Sequence, residues 1–196
     1  MDSLDLKKTA LVIIDLQKGI VGRGGFAPYS AAEVLEKNEQ IVKQLLNTDV
    51  LIVYVHVKNY GGEALNPKTD YAPLIMGELP ADFSDFVSPL AYDKSFKNII
   101  HVTKHNWGAF YGTDLDVQLR RRGITEIILT GIATTIGCDT TAREAFQHGY
   151  DVIIVEDAMT DFNGELHKGI VDGIFTRLGR VRSTEQVLEM IENSKL

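Results

Sequence analysis

Of 196 residues only one is a cysteine, Cys138, so no intramolecular disulfide can form and no cysteine pair is available to hold a metal. A reducing, cytoplasmic setting is the default expectation for such a chain. Long apolar runs are also missing. None approaches the roughly 20 residues that a membrane span needs. The opening stretch, MDSLDLKKTALVIIDLQ, has neither a basic lead-in to an apolar core nor a small-residue cleavage site, which argues against a signal peptide. Positive charge is in deficit: 20 Lys and Arg against 27 Asp and Glu leave a net charge of −7, which speaks against nucleic acid or an anionic membrane as partner. The five histidines are read as structural or solvent-facing, and no metal site or other cofactor is expected. Repeats, low-complexity segments and linkers are absent, so one domain over residues 1–196 is expected.

What is present is alternation. Short β-branched runs are followed by longer segments of helical period, the pattern of a mostly parallel sheet with helices on both faces, a three-layer α-β-α, Rossmann-like architecture. Residues 9–15 (TALVIID) form an almost continuous apolar run, as a strand buried on both faces requires. Further strands are expected at 50–57, 98–104, 125–131 and 151–157, with a short one near 180–182. Helices are expected at 31–46, 113–123, 137–149, 162–178 and 184–193. Residues 58–97, rich in Pro, Gly and Asp, read as lid-like loops. The glycines of GIVGRGG do not fit a dinucleotide fingerprint and read as a flexible loop.

Ligands of such sheets bind beyond the carboxyl ends of the strands, and that rule narrows the search. Asp15 ends the first strand, where a partly buried carboxylate needs a partner and is poised for proton transfer. The following Leu16-Gln17 lacks the second aspartate that Mg²⁺-dependent phosphoryl transfer would want. Lys104 leaves the third strand, and if strands one and three lie near each other the two form a neutralising pair. Trp107, Phe110 and Tyr111 follow in a glycine-containing loop and either wall a pocket or pack the next helix. In GIATTIGCDTTAREAF (131–146) a strand ends, a tight turn follows and a helix begins. A helix start suits an oxyanion or an activated thiol, which makes Cys138 a candidate nucleophile. At about 100° per residue, however, Cys138 shares a face with Ala142 and Ala145, while Gly137 shares the polar side with Thr141, Glu144 and His148. By that phase Cys138 is a small core residue.

Together these segments resemble the isochorismatase-like hydrolase superfamily, which includes isochorismatases, nicotinamidases and related cysteine amidohydrolases. ALVIIDLQKGIV resembles its first-strand motif, VTKHNWGAFYGTDLD its lysine motif, and GIATTIGCDTTAREAFQHGYDVIIVEDAMTD its nucleophile-loop region. The resemblance implies a small-molecule hydrolase that forms homo-oligomers. It places Asp15 and Lys104 in catalysis, with Gln17, Trp107, Phe110, Thr134 and Gly137 binding substrate and a cis peptide near residues 132–134. It also sets two activities side by side. Counting from Gly131, the amidohydrolase nucleophile position falls on Gly137, with Cys138 one residue later. The glycine resembles true isochorismatases, which cleave a vinyl ether by acid catalysis. The cysteine amidohydrolase alternative would use Cys138, and a non-catalytic ligand-binding homologue is a third reading. The metal motif of nicotinamidases is absent after the second strand.

Overall fold

A computed structural model describes residues 3–58, 68–70 and 79–195. β1 (Thr9–Ile14) is followed by one helical turn, α1 (Lys18–Val21), then α2 (Ala31–Leu45) and β2 (Leu51–Val57). β3 (Ile99–Lys104), α3 (Leu115–Arg121) and β4 (Glu126–Ile132) lead to α4 (Asp139–Gln147) and β5 (Asp151–Thr160). The chain closes with α5 (Gly164–Ile170), α6 (Thr176–Leu178), β6 (Arg180–Arg182) and α7 (Thr184–Asn193).

The six strands pair in the order β3-β2-β1-β4-β5-β6, and every pairing is parallel. Side chains alternate across each strand, so one apolar run feeds two cores. Ala10, Val12 and Ile14 point to the layer with Leu115, Leu119, Ala142, Ala145 and Phe175. Leu11 and Ile13 point to the layer with Val34, Ile41, Leu45, Val187 and Ile191. All six residues of β1 are buried, and each large aliphatic among them adds about 1.5–3 kcal/mol relative to exposure. This is why the central strand reads as a continuous run rather than an alternation.

The sequence signals for the two helices on the second layer are local. Ser30 Oγ accepts the Glu33 amide at 3.2 Å while the Glu33 carboxylate accepts the Ser30 amide at 2.8 Å. Ser183 and Gln186 repeat this capping box at the start of α7. Gly123 and Gly149 stop the helices before them with φ of +67° and +81°.

Several expected boundaries shift. The expected helix at 113–123 is shorter, because Thr113 turns its hydroxyl to Ala109 O and accepts the Leu115 amide. The helix expected from 137 begins earlier, with a π-helical turn over Thr134–Cys138. The expected helix at 162–178 starts at Gly164 after an Asn163 cap and is broken by a second π turn, Val171–Phe175. The GIVGRGG stretch begins inside the single turn α1 and runs on to Gly24 and Gly25, both at positive φ. Of the expected lid-like loops, residues 59–67 and 71–78 lie outside the described residues.

Candidate active site

With β1 flanked by β2 on one side and β4 on the other, the order in which strands are added to the sheet reverses between β1 and β4, and a crevice opens beyond their carboxyl ends. Asp15 stands at that point. Its φ of +54° is a left-handed conformation that a short polar side chain tolerates better than most. Next to it Gly131 has φ +122°, and a Cβ there would lie 2.1 Å from Ile14 O. Only glycine lets β4 approach β1 so closely.

Lys104 Nζ lies 2.8 Å from Asp15 Oδ2, and both residues are buried. The strands that carry them lie near each other, as the pair requires, but are not adjacent. β2 runs between them, and the four-carbon lysine stem crosses its end. Nζ also donates to the carbonyls of Asn106 at 3.2 Å and Trp107 at 2.8 Å, so three acceptors meet its three protons. Asp15 is less completely served. Oδ1 is buried and has no hydrogen-bond partner among the described residues. Burial pushes the Asp15 carboxyl above its ordinary range, against the opposing pull of Lys104 and, more weakly, of His56.

The π turn forms the opposite wall, entered through a cis peptide between Ile132 and Ala133. A Cβ on Gly137 would sit 2.8 Å from Ile14 Cγ2, 3.4 Å from Asp15 Oδ2 and 3.5 Å from Trp107 O. Gly137 therefore faces the Asp15–Lys104 pair directly. Cys138 faces the other way. Its side chain is fully buried among Ala142, Ala145 and the β4 residues, with Sγ 3.9 Å from Thr130 O. Burial, then the Asp15 charge, raise its thiol well above 9.0, so the thiolate is disfavoured.

Three residues expected to contact substrate are occupied elsewhere. Gln17 is buried, with Oε1 accepting from Val57 N at 2.8 Å and Nε2 donating to Val57 O and Phe83 O; its amide braces β2 against the 83–87 segment. Phe110 is a core residue, stacked on His148 at 5.0 Å and beside Tyr150, so the packing alternative holds for it. The Thr134 hydroxyl is engaged with His167 Nδ1 at 2.8 Å in a buried pair. Trp107 is half exposed. The face of α4 read as its polar side is only partly turned to solvent, with His148 exposed at its far end. Thr141 is fully buried, and Glu144 packs against Gly108 in the lysine loop.

Two more residues brace the site: Asp161, which the sequence did not single out, and His56, which was read there only as a structural or solvent-facing histidine. Asp161 Oδ2 holds the Thr135 amide at 2.6 Å and its hydroxyl at 2.8 Å. His56 bridges Ser84 O at 2.6 Å and Thr103 Oγ1 at 2.7 Å. Their signal was position alone: each lies at or near the carboxyl end of a strand. Among the described residues no group of three or more His, Cys, Asp or Glu side chains could hold a metal ion. None of their helices is long and apolar enough to cross a membrane. A surface groove of about 800 Å³ between α2 and α7 is lined by Glu33, Lys37, Asp157 and Glu189 among others, but by none of Asp15, Lys104 or Gly137.

The parallel sheet with helices on both faces and a buried acid–lysine pair at its switch point define a three-layer α/β fold with a candidate catalytic site. Comparison with known proteins agrees and is more specific. The isochorismatase domain family matches residues 9–186. The isochorismatase family protein YwoC of Bacillus subtilis is 45% identical over 192 residues, 97% of each chain. YecD of Escherichia coli O157:H7 is 39% identical, covering 97% of this chain and 100% of its own. The solved structure of an isochorismatase family protein from Burkholderia thailandensis superposes with a TM-score of 0.85 at 39% identity, over 98% and 99% of the two chains. The chain belongs to the isochorismatase family and is a hydrolase.

Proposed function

We propose that the protein hydrolyses a small molecule by general acid catalysis, without a covalent enzyme intermediate. The observation that carries this reading is the orientation of the π turn: Gly137, which has no side chain to attack with, faces Asp15, while Cys138 is sealed in the core.

In this reading Asp15 is the acid. Lys104 engages Oδ2, so the transferable proton rides on the unpartnered Oδ1. Burial keeps that proton on the carboxyl at higher pH than for a solvated aspartate. Asp15 gives the proton to an acid-labile substrate such as a vinyl ether, and water adds to the resulting cation. The carboxylate then takes a proton back as the adduct collapses, so that no net proton is consumed. Lys104 stabilises the carboxylate formed in between. Trp107 and the backbone of the Thr134–Cys138 turn contact the substrate, while Gln17 and Phe110 support the site from behind. A cytoplasmic location and homo-oligomeric assembly belong to the same reading.

The test is a panel of vinyl ethers, amides and ureas. Asp15→Asn is expected to lose turnover and Cys138→Ala to keep it. Loss of turnover in both variants, or a trapped acyl-enzyme on Cys138 seen by intact mass, overturns the reading in favour of a cysteine amidohydrolase. Ligand binding with no turnover across the panel would mark a binding protein instead.

A further inference from the structure

Lys104 does not hold its own position. Two of its three acceptors are the carbonyls of Asn106 and Trp107, so the ammonium sits where the loop after β3 puts it. That loop is pinned at its start by His105 Nδ1 against Lys58 O, and its middle is clamped by α4. The Thr141 hydroxyl accepts the Ala109 amide at 3.1 Å and donates to Gly137 O at 2.6 Å. One hydroxyl thus ties the glycine wall of the site to the lysine loop. A turn further along, Glu144 Oε2 accepts the Phe110 amide at 3.1 Å. The Glu144 carboxylate lies flat against Gly108, where a Cβ would come within 2.1 Å of Oε2. Thr113 closes the far end by donating to Ala109 O at 2.6 Å. Gly137, Thr141 and Glu144 share one helical face, and that face carries the backbone holding Lys104.

We infer that Thr141 and Glu144 are positioning residues that set the Lys104 ammonium against Asp15 through the backbone of residues 106–110, so that the glycine turn and the acid–lysine pair move as one unit. This rests on the reading of Asp15 and Lys104 as the acid–base pair, and it adds two residues and a direction of support. Neither Thr141 nor Glu144 touches Asp15 or Lys104. Their effect is on where the lysine can be, and hence on how strongly it draws the Asp15 titration down.

The experiment needs no substrate. The Asp15 carboxyl is followed by ¹³C NMR against pH, and Lys104 by mass spectrometry after brief treatment with an acetylating active ester. The charged groups that act on Asp15 are Lys104 from β3 and His56 from β2, with the Cys138 thiol buried behind the turn, and none of the three is substituted in any variant. Thr141→Val and Glu144→Ala are expected to move the Asp15 midpoint upward by at least about half a unit, because the opposing cation is less well held. Lys104 acetylation is expected to rise severalfold in both. Thr141→Ser and Glu144→Gln keep the accepting oxygen and are expected to restore wild-type behaviour. Gly108→Ala dislodges the Glu144 carboxylate and should match Glu144→Ala, with no added effect in the double variant. It reaches the same contact from the loop, so the comparison survives if Thr141→Val fails to fold. Lower melting temperatures with unchanged Asp15 titration and Lys104 labelling would reduce both residues to helix packing and overturn the inference. Failure of the acid–base reading would show differently, as full turnover in Asp15→Asn with these shifts intact.

Discussion

Gly137 and Cys138 are adjacent in one π turn, yet they belong to different regions of the molecule. Gly137 is bounded by Ile14 Cγ2, a carboxylate oxygen and a backbone carbonyl at the mouth of the sheet. Cys138 is bounded by alanines and β4 in a dry layer. The difference is a matter of angle, since successive residues of a helical turn diverge by about 100°. Chemical character alone would favour the thiol as the reactive group. Direction favours the residue with no side chain.

The contrast is most open to attack through Asp15. Asp15→Asn keeps the shape and loses the proton, and turnover should fall by about 10²–10⁴-fold in steady-state assays against the panel substrate. An unaffected rate would move the chemistry away from the Gly137 side. Lys104→Met breaks a buried ion pair and should cost about 3–5 kcal/mol in urea denaturation at pH 8. That deficit should shrink toward pH 5. Without Lys104 the Asp15 carboxyl rises further, the folded state holds a proton that the unfolded state releases, and the penalty therefore grows as pH increases. Gly137→Ala tests the crowded side: its Cβ forces Ile14 to shift and should cost about 1–3 kcal/mol while weakening ligand binding, both measurable by calorimetry.

The start of the same turn has a pH signature. Burial lowers His167 below the ordinary imidazole value of 6.5, so the folded state prefers the neutral ring that pairs with Thr134. Its contribution is fully present above 6.5 and is lost as pH falls, by at most about 1.4 kcal/mol for each unit. Melting temperature should decline below pH 6.5 in the native protein, and less steeply in His167→Asn. The smallest effect belongs to the other side of the turn. Cys138→Ala should leave turnover within about twofold and cost only about 1 kcal/mol, the loss of one buried sulfur.

Much of this was legible in the chain. Strands buried on both faces leave runs such as TALVII and LIVYVHV, and residues at their carboxyl ends are few, so Asp15 and Lys104 stood out. What could not be read was which way a loop residue turns. Phe110 and Trp107 lie three residues apart in one loop, one buried and one half exposed, and no spacing distinguishes them. Gln17 follows Asp15 closely but spends its amide on β2. The reach of Lys104 across β2 depends on strand order, a property of the whole sheet. The π turn is invisible to a period of 3.6, although the face of Cys138 came out correctly because α4 beyond it is regular.

The sealing of Cys138 gives the molecule an internal clock. A thiol-blocking reagent meets the chain's one sulfhydryl only when the layer beneath α4 opens. Where reclosing is faster than the reagent, the labelling rate measures the free energy of that opening, and where the reagent is faster it measures the opening rate itself. A single buried atom thus turns a simple alkylation time course into a report on how the wall behind the site breathes, with no probe added.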